Sequence, residues 1–91
     1  MKTAEELIDL YLGEARVSKQ PYHRALDRIE NLEKRGVDVV KHTMMRLNKT
    51  ERSDKVEGIY WAAKDYGMSS VASAAKKKYK SITGHNPGKH P

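Results

Sequence analysis

The sequence predicts an all-α fold, a small single domain of five helices, and three observations carry that expectation. Apolar residues recur at spacings of three and four along most of the chain, the signature of one buried helical stripe after another. No segment alternates apolar and polar residues as a half-buried strand would, and Val39-Val40 is too short a β-branched run to make one. Two candidate helix stops are single glycines, Gly36 and Gly67, each followed within a few residues by a polar residue able to start the next helix.

Taken in order, Thr3 and Glu6 form a Thr-x-x-Glu capping box, and Ala4, Leu7, Ile8, Tyr11, Leu12 and Ala15 share a stripe, predicting a helix over 4–18. Pro21 suits a first turn, Ala25, Leu26, Ile29 and Leu32 give the next stripe, and Gly36 stops it, predicting 21–35. Asp38 caps a third helix over 39–48 through Val39, Val40, Met44 and Leu47. The polar run 48–52 is the expected internal boundary. Ser53 or Asp54 caps a helix over 54–66 that buries Val56, Ile59, Tyr60, Ala63 and Tyr66 and is closed by Gly67. Ser69 or Ser70 then caps a helix over 70–82, with Val71, Ala72, Ala75, Tyr79 and Ile82 inward and Gly84 after it. Residues 1–50 read as a helical scaffold, 51–84 as a C-terminal helix pair, and 85–91, with two prolines and a glycine, as a disordered tail.

Composition bounds the class. A chain of 91 residues buries only about 60–65% of its unfolded surface, so its core is thin. It has no cysteine, which removes disulfides and the usual zinc-finger ligands and favours a reducing, cytoplasmic setting. The apolar runs are a few residues long, too short for a membrane span or a signal-peptide core. Charge is more informative. Residues 1–40 hold seven bases and eight acids, whereas 41–91 hold eleven and four, together the net charge of +6. From Tyr66 onward there is no acidic residue at all. A basic half beside a near-neutral half is the electrostatic footprint of a polyanion-binding protein, with nucleic acid the commonest partner.

Ala63, Gly67 four residues later, apolar Met68 and the serines that start a basic helix resemble the helix-turn-helix DNA-binding motif over roughly residues 56–80. The resemblance implies that the second helix enters the major groove. It departs from the motif at Ser73 and Lys76, six and nine positions after the glycine, where aliphatic residues are usual; a plain helical hairpin is the other reading. Helical geometry sets Ser73, Lys76, Lys77 and Lys80 opposite the apolar stripe, and Ser69 and Ser70 at the helix start. These six are the candidate nucleic-acid contacts. Lysine suits phosphate as a flexible point charge, and the helix lacks the Arg, Asn and Gln that read base edges bidentately, so backbone contact with modest sequence discrimination is expected. Lysines near a helix C-terminus also favour its dipole, which is the plain structural alternative.

Trp61 lies about 140° around its helix from Val56, beside Gly58 and Ala62. It either packs in a helix covered on both sides or, with Leu10 outside its own stripe, anchors a subunit interface that makes the chain a dimer. Catalytic chemistry has no support. His23, His42, His85 and His90 show no metal-ligand spacing, no phosphate loop or dinucleotide fingerprint is present, and Glu5, Glu6 and Asp9 are explained by a helix N-terminus. No cofactor and no enzyme activity is expected. A lysine-rich amphipathic helix suits an anionic bilayer only weakly when its apolar face is mostly alanine. The expectation is a small regulatory or accessory protein, as in transcription control, that binds DNA or, through the same phosphates, RNA. The alternative is a helical protein-interaction module or inhibitor that meets an acidic partner and binds no nucleic acid.

Overall fold

A computed structural model describes residues 19–91, which form four α-helices and no strand. They are α1 (Lys19–Lys34), α2 (Val39–Lys49), α3 (Ser53–Asp65) and α4 (Ser69–Thr83). The all-α class holds, and each helix lies within two residues of its expected bounds. The helix expected over 4–18, with its capping box and Leu10, lies outside the described residues, so the described helices number four rather than five.

Glycine-based stops form as the sequence implies. Gly36 (φ 69°) donates to the carbonyl of Glu33 at 3.0 Å and Val37 to that of Leu32 at 3.4 Å, and Gly67 (φ 71°) with Met68 repeats the pattern at the end of α3. Met68 donates to Ala63 at 2.8 Å and is itself buried. This paired arrangement satisfies the last carbonyls of a helix while turning an apolar side chain back onto it. The Asp38 carboxylate accepts the Lys41 amide at 3.0 Å and so caps α2 as expected.

The serine caps do not form. The residue at the start of α3 is Arg52 and that at the start of α4 is Met68, neither with a side-chain capping bond; Ser53, Ser69 and Ser70 fall inside the first turns. Asp54 accepts the neighbouring Lys55 amide and pairs with Arg52 instead of capping. The turn explains the shift at α4. Once Met68 must be buried to complete the stop of α3, its carbonyl is the one placed to accept from Ala72 at 3.0 Å, and the helix begins one residue before the serines could cap it.

The core is one cluster in which Ile29, Leu47, Val56 and Val71 are fully buried, each contributing about 1.5–3 kcal/mol of transfer free energy. α3 packs mainly against α1 and α4, with α2 lying on α4 and α1. Gly58 makes the α1 contact possible: a Cβ there would stand 2.7 Å from the Pro21 carbonyl carbon and 2.8 Å from the Tyr22 nitrogen. Three expected core residues are on the surface, Val40, Tyr66 and Ile82. In α2 it is Thr43, four residues before Leu47 and hence on its face, that points inward in place of Val40. Its hydroxyl has no hydrogen-bond partner among the described residues. Beyond Gly84 there is no further helix, and 85–91, for which the sequence predicts disorder, returns to α3: His90 Nε2 lies 2.9 Å from the Asp65 carboxylate.

Candidate nucleic-acid interface

α4 separates its lysines by function. Lys78 is half-buried, and its Nζ donates to the carbonyl oxygens of Leu47 (2.7 Å) and Asn48 (3.1 Å) at the end of α2. It neutralises the negative end of that helix and ties α2 to α4. Lys76, Lys77 and Lys80 are exposed, as are Ser69, Ser70 and Ser73. Inward Val71, Ala72, Ala75 and Tyr79 hold α4 in this rotation. Ser73 and Lys76, the positions where a helix-turn-helix would carry aliphatic residues, stay in solvent. α3 and α4 pack against each other across the Gly67 turn, with Val71, Ala72, Ala75 and Tyr79 rather than positions 73 and 76 buried.

Along the outer face Ser69, Ser73, Lys76 and Lys80 succeed one another at spacings of four, three and four, a single stripe of donors. The upper part of the stripe is concave. Ser69, Ser73 and Lys76 face Tyr60 and Lys64 of α3 across Gly67 and Ala72, enclosing about 360 Å³. Because α4 starts without a side-chain cap, the amides of its first turn are left for an external acceptor at the positive end of the helix dipole. None of Lys76, Lys77 and Lys80 meets a carboxylate among the described residues, where the ion pairs are Arg52–Asp54 and His90–Asp65.

The stripe gains from α3 two residues that sequence reasoning left out, Tyr60 and Lys64. The Lys64 ammonium sits 5.4 Å from the centre of the Tyr60 ring and 5.3 Å from that of Trp61, a doubled cation–π contact. Their signal was the i, i+4 spacing of Tyr60 and Lys64 immediately before Gly67, which places both at the mouth of the turn.

Trp61 lies on the other edge of this cluster. It is half-buried, edge-on to Tyr60 (4.8 Å) and to His90 (5.1 Å), and its indole nitrogen is buried with no partner among the described residues. Gly58 and Ala62 beside it are buried, Gly58 directly against Pro21 and Tyr22 of α1, and α3 packs against both α1 and α4. Leu10, the other candidate anchor, lies outside the described residues.

Asp65 organises the same end of α3. Tyr22 donates its hydroxyl to the carboxylate and His90 approaches it from the tail. The Tyr22 bond, then the His90 bond, holds Asp65 below the usual carboxylate range, and the same contact with burial pushes Tyr22 up to about 12. Among the described residues no group of three His, Cys, Asp or Glu is placed to hold a metal ion, and no helix is long and apolar enough to cross a membrane. Compared with known protein families, curated proteins and solved structures, the chain matches none.

Proposed function

We propose that this chain binds nucleic acid, duplex DNA foremost, by laying the outer face of α4 along the phosphate backbone. The observation that carries the reading is the division of the α4 lysines: Lys78 is spent on the protein, while Lys76, Lys77 and Lys80 project into solvent with no carboxylate partner among the described residues, in line with the hydroxyls of Ser69 and Ser73. Hydroxyls, lysines and uncapped helix amides are the donors that phosphate oxygens take, and none of them reads a base. Tyr60 offers a ring at the edge of the stripe for an unpaired base, so single strands are a second substrate. The role is regulatory or accessory, with register on the strand set by shape more than by sequence.

Fluorescence anisotropy with duplex and single-stranded oligonucleotides at two salt concentrations tests this. Affinity should fall by about 0.9 log units per tenfold rise in salt for each phosphate contacted. The Lys76→Ala/Lys77→Ala pair should flatten that slope by about 2 and weaken all sequences alike. Unchanged affinity in a folded variant lacking all three exposed lysines would refute the α4 face, whereas a wild type that binds no oligonucleotide at either salt concentration would favour a protein-binding module.

A further inference from the structure

A second basic surface lies across α3 from the α4 stripe. Four of the chain's six arginines, Arg24, Arg28, Arg46 and Arg52, line one cleft of about 440 Å³ together with Lys49 and Lys55. They arrive as three pairs from three places: Arg24 and Arg28 one turn apart on α1, Arg46 and Lys49 in the last turn of α2, Arg52 and Lys55 at the start of α3. Lys55 and Lys64 are nine residues apart on α3, about 180° around the helix, so this cleft and the α4 stripe open on opposite sides. No single stretch of sequence holds the cluster. Folding assembles it.

Two acids are present, Glu51 and Asp54, against six cations. Asp54 is already committed to Arg52, which grips both carboxylate oxygens at 3.2 and 2.9 Å. The remaining cations share a concave space with one carboxylate. Such crowding is unfavourable in the empty protein, because like charges one turn apart on a helix destabilise it and a concave wall focuses their field. An ordinary solvated surface intersperses its signs. Ala25 and Ile59, both buried, give the cleft an apolar floor within an otherwise polar lining, so water is excluded on that side and contacts there are stronger than in open solvent. The cleft also meets the positive end of α3, whereas the competing negative end of α2 is filled by Lys78.

We infer that this cleft is a binding site for linked phosphates, in which guanidinium forks grip successive phosphoryl groups over the apolar floor. Arginine is the residue suited to that task, since its planar fork matches two phosphate oxygens at once. The volume falls in the range of about 300–1,000 Å³ common to small-ligand sites, and the floor accommodates the less polar part of a phosphate-bearing molecule. The source of the linked phosphates is either a nucleic-acid backbone or a free polyphosphate. The site does not depend on the α4 stripe.

The test is calorimetric titration of the full chain with inorganic triphosphate, beside anisotropy with duplex and single-stranded oligonucleotides. Each is run on the wild type, on Arg24→Gln/Arg28→Gln, on Arg46→Gln, and on Lys76→Ala/Lys77→Ala. All the altered residues are exposed, and circular dichroism verifies folding. Saturable triphosphate binding that weakens about tenfold for each arginine removed, and changes little in the lysine variant, is the expected result for a free polyphosphate. A comparable loss in oligonucleotide affinity with no triphosphate site supports a nucleic-acid backbone. Arginine variants that leave both affinities unchanged overturn the site, whatever the lysine variant does. Equal loss of triphosphate binding in arginine and lysine variants also overturns it, because a diffuse field rather than a cleft would then hold the anion. Loss in the lysine variant alone keeps the α4 reading and removes this one.

Discussion

The two basic surfaces flank the same helix but are made of different cations on different shapes. The α4 stripe has lysines as its only cations, with two serines in line, and its upper part borders an open recess against α3. The cleft carries four arginines in a concavity with an apolar floor. An exposed lysine is a hydrated point charge on a mobile stem: it gains phosphate contact mainly by releasing counterions and tells little about the shape of what it binds. Arginine's planar fork loses less freedom per bond and, set in a concavity, demands a matching geometry. On the two proposals above, one chain would join a salt-sensitive surface that positions with a recess that selects, a difference that net charge alone does not show.

Leu47 is the residue whose loss should separate the two surfaces most. α2 brings Arg46 and Lys49 to the cleft, and it is held to the core by Leu47, which is 1% exposed, and to α4 by Lys78. Leu47→Ala should cost about 2–5 kcal/mol in chemical denaturation, from lost transfer energy and the cavity left behind. Anion binding in the cleft should fall further than duplex binding by the α4 stripe, since α3 and α4 keep their own contact. Equal loss at both surfaces would show that α2 supports the whole domain rather than the cleft.

Gly58 sharpens the same contrast at smaller amplitude. A methyl group there meets backbone atoms of Pro21 and Tyr22 that cannot swing away as a side chain would, so α1 must shift relative to α3. The overpacking cost of about 1–3 kcal/mol exceeds the gain of about 0.5–1 kcal/mol that alanine brings to a helix interior. Gly58→Ala should therefore lower thermal stability. It should also disturb the cleft, whose rim includes Pro21 and Arg24, more than the α4 stripe. A variant more stable than wild type would mean that α1 yields without strain.

How far these features could be read from the sequence follows from how local each one is. Helix positions were legible because stripes and glycine stops act within a few residues, and the outward set of Ser73, Lys76, Lys77 and Lys80 followed from helical phase alone. The starts of α3 and α4 depart from the intrinsic capping preference of serine and aspartate, and at α4 burial of Met68 decides where the helix begins. Val40 and Ile82 were placed in the core by pattern, but whether a stripe is buried at its margins depends on which neighbour covers it. The arginine cleft was illegible to charge counting along the chain. Its residues run from 24 to 55, across the point where a near-neutral half was divided from a basic one, and only the convergence of three helix ends gathers them. The Asp65–His90 contact spans 25 residues and carries no motif.

That contact yields the smallest effect, since both partners are substantially exposed and solvent screens them. His90 is raised above the ordinary imidazole range chiefly by its hydrogen bond to Asp65, and Asp65 is lowered chiefly by Tyr22 and then by His90. A raised histidine contributes in full below its unfolded value and is lost as pH rises through the folded one. A lowered carboxylate contributes in full above its unfolded value and is lost as pH falls through the folded one. The tail should therefore be held best between the ordinary carboxylate and imidazole ranges, released as pH rises through the raised His90 value and again as pH falls through the lowered Asp65 value. Tyr22, at about 12, stays a neutral donor throughout that span. Trp61 reports the first step, being the single tryptophan of the chain with its ring centre 5.1 Å from that of His90. Its fluorescence, quenched by the imidazolium, should rise with a midpoint above the ordinary histidine value, and His90→Ala should abolish the transition while leaving the helical signal in circular dichroism intact. A transition that persists in His90→Ala would assign the titration to another histidine and detach the tail from α3.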